Sequence, residues 1–384
     1  VDVNIRAFNE DVAALGCLPP TIEPRATAHI GEMIELIREL ESKGLAYAAD
    51  GDVYFAVDKF AGYGKLSKRK LDDMQAGSRI DVDERKRHPM DFALWKASKP
   101  GEPEWDSPWG KGRPGWHIEC SAMASRYLGQ PFDIHGGGSD LIFPHHENEI
   151  AQSEGATGKP FANYWLHNGM VNIGKEKMSK SLGNFLTVER AVAQAGGEAV
   201  RQFVIGTHYR SPLEFTPERL DETAKALHRI YETLARADEA TAAAGQGAVD
   251  PDPAVLEQFT AAMDDDLNTS RALGIVFETV RTINRLLDEG SPDQAAPLRA
   301  AIAQVAGVLG VACSEPRPYL ERSKDAHLTD SAVDPAAIER LIEERLEARK
   351  AKNFARADAI RDELKAKGIV LEDSAGGTVW KVER

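Results

Sequence analysis

The stretch Phe132-Asp-Ile-His-Gly-Gly-Gly-Ser-Asp140 decides the fold, together with His145-His-Glu-Asn-Glu149 just after it. Residues 132–135 read as a strand that ends in three glycines, and residues 145–153 read as a helix. A strand passed through glycines into a helix is an α/β unit, and open α/β sheets bind ligands outside the carboxyl ends of their strands. Glycines there would let the backbone approach a nucleotide, and Asp140 could accept from ribose hydroxyls. The competing reading of a triple glycine is a tight turn that needs positive φ. Working outward, residues 113–184 alternate helix and strand in the manner of one half of a nucleotide-binding domain.

Two motifs flank this unit: Gly115-Trp-His-Ile-Glu-Cys120 upstream and Lys177-Met-Ser-Lys-Ser181, continued by Leu-Gly-Asn184, downstream. The downstream segment lies between Gly174 and Gly183 and reads as a loop that closes on its ligand. Its two ammonium groups suit the charge that develops when ATP loses pyrophosphate. Cys120, His145 and Glu149 offer a thiolate, an imidazole and a carboxylate, a donor set that suits a borderline-soft metal. His145 and Glu149 are four residues apart and share a helix face. Taken singly, such a pair is more often a surface accident. Cys120 alone reads as a small buried hydrophobe, and Trp116 alone as a core aromatic.

The chain has 384 residues, 42% hydrophobic and 28% charged, enough for two or three domains with real cores. Its apolar runs fall short of the roughly 18 residues needed to cross a bilayer, and the N-terminus has no signal-peptide stretch. A cytoplasmic location without membrane contact is expected. Cys17, Cys120 and Cys313 are odd in number and widely spaced, so metal binding or burial is expected of each rather than a bridge. The net charge of −14 argues against wholesale wrapping of nucleic acid and leaves room for a local basic face.

Residues 1–112 read as a connective or insertion module. A helix over 26–43 carries Ile30, Met33, Ile34, Ile37 and Leu40 on one face and stops at Gly44. Asp50-Gly51 marks a hairpin turn, and 101–114, rich in proline, glycine and tryptophan, reads as a boundary loop. Residues 185–320 read as a helical linker and bundle, with Thr216-Pro217 as a helix start and further helices over 251–264, 268–289 and 295–309. A polar linker is expected over 316–333. Residues 334–384 then form a small α+β unit, two helices with Asn353 as a cap between them, and a hairpin around Gly376-Gly377. The fold class expected is thus an α/β Rossmann-like catalytic part, a helical bundle and a small C-terminal α+β unit.

The combined motifs, with the near word-for-word run 132–149, resemble the cysteinyl-tRNA synthetase family of class I. The resemblance covers nearly the whole chain but only the later part of the family, whose His-Ile-Gly-His signature does not occur here; an upstream segment is therefore expected to be missing. It implies zinc on Cys120, His145 and Glu149, with a further cysteine ligand in that upstream segment; Cys17 does not match it. It implies that Trp116 lines the substrate pocket, that His135, Gly137 and Asp140 face the aminoacyl-adenylate, and that Lys177 and Lys180 are catalytic. ATP with Mg2+ and L-cysteine are the implied small partners, tRNA(Cys) the macromolecular one, and a monomer is expected.

Zinc makes chemical sense, because a pocket that reads size alone discriminates near-isosteres by only about 10 to 200-fold. A thiolate gains a metal bond that a hydroxyl forms poorly. No editing segment is apparent. The C-terminal unit resembles the family's anticodon-binding end, with Arg349, Phe354, Asp358 and Asp373 at base-contacting positions. Phe354 stands where some relatives carry tryptophan. From 339 to 384 there are 11 Lys+Arg and 10 Asp+Glu, so this unit is +1 and the remainder −15. Alternatively, Phe354 belongs to the core of a packing module. The competing functions are a mycothiol-pathway ligase joining cysteine to an amino sugar, which would lack residues 334–384, and a non-catalytic tRNA-binding fragment.

Overall fold

The computed structural model describes residues 1–70, 84–173, 176–177, 187–245, 247–331, 335–374 and 377–382. The chain divides into two compact units, Pro19–Asn172 with Tyr209–Leu213, and Val1–Leu18 with Ile173–His208 and Glu214–Arg384.

In the first unit, Met33, Ile37 and Leu40 recur at helical spacing and are fully buried on the helix Ile30–Ser42. The helix begins later than the apolar pattern predicts, because His29 is non-helical (φ −124°, ψ 23°) and separates it from a short turn at Ala26–Ala28. Asp50 and Gly51 both adopt positive φ, 51° and 84°, as a two-residue hairpin turn requires. They join Ala46–Ala49 to Asp52–Phe55, the first two strands of an antiparallel sheet completed by Phe92–Ala97 and Gly112–Pro114. The end of the expected loop is therefore a strand. Its pairing with Trp95, Lys96 and Ala97 is a non-local contact that local composition does not encode. Val53, Phe55, Leu94 and Trp95 pack with the Ile30–Ser42 helix, with Ile118 and Ala122 of the helix Trp116–Leu128, and with Ala151 and Ala156 of the helix Glu147–Thr157. Antiparallel sheet and α/β segment thus share one apolar core.

The strand Phe132–Gly138 pairs in parallel with Ala162–Asn168, and Glu147–Thr157 is the crossover helix. The strand runs through all three glycines, and none of them has positive φ, so the turn reading fails. Close approach explains Gly137 instead: a Cβ there would lie 2.9 Å from His146 Cε1 and 3.0 Å from Leu141 Cδ1. The helix begins at Glu147 and not His145, since Phe143, which precedes Pro144, is extended (φ −140°, ψ 132°). His146 still has helical angles, so His145 and Glu149 remain one turn apart.

The second unit is mainly helical. Thr216 accepts from the Arg219 N–H and Pro217 occupies the first position of the helix Pro217–Ala243. Asp252 and Asn268 cap Pro253–Asp264 and Thr269–Asp288 in the same way, and Pro292–Leu309 completes a core that includes Leu227, Tyr231, Phe259, Ile283 and Val305. The expected linker at 316–333 contains a helix, Pro316–Ser331. Its contacts include Tyr319, which stacks on Tyr231 at 3.7 Å, and the Lys324 ammonium, 3.3 Å from the Trp380 ring centre. The C-terminal part consists of Pro335–Lys350, Phe354–Ala366 capped by Asn353, and an antiparallel hairpin of Ile369–Ser374 with Gly377–Val382. Ile338, Ile342, Ile360, Leu364, Ile369 and Trp380 form its core. No described helix is long and apolar enough to cross a membrane.

Candidate active site and metal centre

Three elements converge on Glu149. The Trp116–Leu128 helix supplies Cys120, the turn into Glu147–Thr157 supplies His145 and His146, and the Phe132–Gly138 strand supplies His135. One potential ligand atom from each of Cys120, His145 and Glu149 lies within 4.8 Å of the others; His135, His146 and Glu149 make a second such group. Glu149 is fully buried. His135 Nε2 lies 2.9 Å from its Oε2, whereas its Oε1 has no hydrogen-bond partner. A buried carboxylate oxygen left unpaired is costly, so a cation between Glu149, Cys120 and His145 fits the residues present. His117 Nδ1 meets His145 Nδ1 at 2.8 Å, which leaves His145 Nε2 on the side of Glu149 Oε1, 3.7 Å away. This arrangement fixes a ligating imidazole through its other nitrogen.

The electrostatics follow from burial. Desolvation, then the Glu149 and Glu119 carboxylates, push the Cys120 thiol up to about 12. Desolvation and the neighbouring His145 lower His117 to about 4, and desolvation with His135, His167 and His145 lowers His146 to about 3. His145 is lowered by burial against the opposing pull of Glu149. Burial thus favours the neutral imidazole at His117, His145 and His146 and the thiol at Cys120.

The structure brings seven of the expected residues, Cys120, His135, His145, Glu149, Trp116, Gly137 and Asp140, into this region. Trp116 is 59% exposed and its ring lies 4.5 Å from that of His145, so it is no core aromatic. Gly137 packs on His146, and Asp140 is exposed beside Gly138, where a Cβ would meet Asp140 Oδ1 at 2.5 Å. Lys177 ends the two-residue strand Glu176–Lys177; Lys180, Gly174 and Gly183 lie outside the described residues. Cys17 and Cys313 are exposed, against the expectation of burial, although the Cys313 thiol donates to the Ala306 carbonyl at 3.1 Å. Sequence reasoning missed His117, His146, His167 and Trp165. His146 Nδ1 meets His167 Nε2 at 2.8 Å, and Trp165 stacks parallel to His167. The spacing of His117 from Cys120, one helical turn, was the available signal for His117.

In the C-terminal part Arg349 lies in the last turn of its helix, Phe354 begins the next, and Asp373 pairs in register with Thr378. Asp358 forms a 3.3 Å ion pair with Arg361. Phe354 is 62% exposed while Ala357, Ile360 and Leu364 fill the core, which removes the packing-module role for its ring.

Comparison with known proteins agrees along the whole chain. A family model for tRNA synthetases class I (C) catalytic domain matches residues 1–225, a DALR domain matches 258–313, and a cysteinyl-tRNA ligase anticodon binding domain matches 334–380. The cysteine–tRNA ligase of Geobacter sulfurreducens is 59% identical over 99% of this chain and 81% of its own length. The chain belongs to the cysteine–tRNA ligase family. A more distant relative in this family, from Thioalkalivibrio sulfidiphilus, is 54% identical over 98% of this chain and 80% of its own. Among solved structures, one assigned as an arginyl-tRNA synthetase from Campylobacter jejuni superposes with TM-score 0.55 at 12% identity, covering 82% of this chain and 68% of that one. Methionyl-tRNA synthetase of Mycobacterium tuberculosis with methionyl-adenylate gives TM-score 0.52 at 15% identity, covering 79% and 75%. These likenesses establish the class I fold of a cysteine–tRNA ligase family member and nothing finer.

Proposed function

We propose that the protein activates L-cysteine with ATP and transfers it to tRNA(Cys) in the cytoplasm. The observation that carries this is near-complete alignment with cysteine–tRNA ligases, from the catalytic domain through the anticodon-binding domain. The cysteine carboxylate attacks the α-phosphate of ATP, the bond to the β-phosphate breaks, and pyrophosphate leaves with its Mg2+. Lys180, assisted by Lys177, offsets the charge that grows on the departing group. The adenylate acyl group then passes to a hydroxyl of the terminal ribose, releasing AMP. His135, Gly137 and Asp140 hold the adenylate at the carboxyl end of their strand, and Trp116 walls the side-chain pocket. Cys120, His145 and Glu149 would hold zinc, which would favour a substrate thiolate over a hydroxyl. His117 orients His145, and His135 orients Glu149.

In this reading residues 113–184 form the second half of the nucleotide-binding domain, 1–112 the connective module, 185–320 the linker and bundle, and 334–384 the anticodon unit. There Arg349, Phe354, Asp358 and Asp373 contact bases. The exposed Phe354 ring supports a stacking role. The protein is taken to act as a monomer. The test is formation of cysteinyl-tRNA from radiolabelled cysteine, ATP and tRNA(Cys) by the complete gene product. Charging with cysteine is expected; activation without transfer to tRNA would refute it.

A further inference from the structure

The run His145-His-Glu-Asn-Glu149 has a metal-binding candidate at each end, and the roles above leave Glu147 and Asn148 between them unused. Both are buried, 1% and 2% exposed. Residues two apart on a helix do not share a face, so Glu147 lies across the turn from His145 and Glu149. There it meets residues 63–67 of the same unit. Its Oε1 accepts from the Gly64 N–H at 2.9 Å and the Leu66 N–H at 3.4 Å, and its Oε2 accepts from the Ser67 N–H at 2.7 Å. Among the described residues none of these three amides donates to a main-chain carbonyl. Gly64 takes a φ of 92°, a conformation that suits glycine alone. Beside it Asn148 Oδ1 accepts from the Tyr63 hydroxyl at 2.6 Å. Burial, then the Glu147 and Asp91 carboxylates, raise that hydroxyl above its ordinary range, so it stays a donor.

One helical turn thus faces two ways, with His145 and Glu149 toward the metal group and Glu147 and Asn148 toward residues 63–67. Glu149 Oε1, buried without a hydrogen-bond partner, opposes this arrangement until a cation meets it. A cation relieves that cost only while residues 145–149 keep the angles that bring His145 and Glu149 together, and the same angles aim Glu147 at the three amides. Two interactions that favour one conformation of a shared element strengthen each other by the same factor. We propose that Glu147 and Asn148 are positioning residues that couple residues 63–67 to the metal group, so that zinc on Cys120, His145 and Glu149 orders that segment and its hold on the helix start tightens zinc. The inference rests on the metal reading of the site.

The experiment reads hydrogen exchange of the Gly64, Leu66 and Ser67 amides in the complete gene product, with and without added zinc, together with zinc affinity by chelator competition. Zinc should slow these amides about 5 to 150-fold, the usual range of coupling between two sites, and by more than any change in the helix Thr269–Asp288 of the second unit. Glu147→Gln puts an amide group where two oxygens accept, so it should weaken zinc within that range and erase the protection. Tyr63→Phe removes only the hydroxyl and keeps the ring against Phe92. It should weaken zinc at the low end, about 5-fold, and it carries the test even if Glu147→Gln does not fold. Lys65→Met is the control. The Lys65 ammonium pairs with Glu154 at 2.5 Å, beyond the turn that carries the ligands, so its loss should leave zinc affinity unchanged. Zinc binding with unaltered exchange at the three amides, undiminished affinity in both Glu147→Gln and Tyr63→Phe, or an equal loss in Lys65→Met would each overturn the coupling. A merely structural Glu147 would lower the denaturant midpoint of its variant and leave zinc affinity as it was. Failure of the unaltered protein to bind zinc would refute the metal reading itself, and the coupling with it.

Discussion

Zinc entering the group Cys120, His145 and Glu149 should displace one proton, and the structure says which. The Cys120 thiol is pushed up to about 12 by burial and by the carboxylates beside it, so at pH 7 only about one molecule in 100,000 carries the thiolate that a metal needs. His145 is held below its ordinary range by burial, so at neutral pH it is already neutral and releases nothing. With one proton lost, zinc affinity rises tenfold per pH unit through the neutral range. Between pH 6.5 and 8.5 that is about 100-fold, or about 2.7 kcal/mol. The assay is competition with a chromophoric chelator at several pH values, paired with proton release in weak buffer. In Cys120→Ser the hydroxyl does not ionise, so the affinity should fall and the pH slope should flatten. A pH-independent affinity, or an undiminished slope in Cys120→Ser, would refute the assignment of Cys120 as the ionising ligand.

Lys180→Ala should slow cysteine-dependent pyrophosphate exchange about 100 to 1,000-fold while leaving cysteine affinity nearly unchanged, since the charge matters most in the transition state; a normal exchange rate would contradict it. Phe354→Ala should weaken tRNA use by about 1 to 3 kcal/mol with exchange untouched, and thermal unfolding should move little because the ring is 62% exposed. Equal losses in both assays would return Phe354 to the fold. Acid should loosen the site: His117 and His146, at about 4 and about 3 when folded, bind protons near 6.5 when unfolded. The unfolded chain thus takes up more protons below about pH 6.5, and stability falls from there down toward pH 4. Denaturant midpoints of the metal-free protein at pH 7.5 and 4.5 measure this, and His117→Phe should reduce the difference.

The α/β unit was legible because the sequence carries local signals, a strand running into glycines at Phe132–Gly138 and His145 and Glu149 spaced one turn apart at the start of Glu147–Thr157. Gly137 shows the limit. Its identity answers to the His146 ring across the site, a packing relation that no window of sequence contains. His117 and His167 escaped for the same reason: each is a histidine whose meaning lies in a nitrogen 2.8 Å away on another element. The helix Pro316–Ser331 reads as linker from sequence because contacts such as Tyr319 with Tyr231 and Lys324 with Trp380 leave no periodic apolar pattern in the chain. The strand Gly112–Pro114 was hidden by its prolines and glycines, which suit an edge strand as readily as a loop.

The central claim is that this site activates cysteine and reads its sulfur. The most direct measurement is pyrophosphate exchange by the zinc-loaded complete gene product with cysteine and with serine as the amino acid. Recognition through a thiolate–metal bond predicts discrimination beyond the roughly 200-fold ceiling of a pocket that reads size alone, and predicts that Cys120→Ser collapses it. Exchange with serine within that ceiling, or discrimination unchanged in Cys120→Ser, would contradict the account.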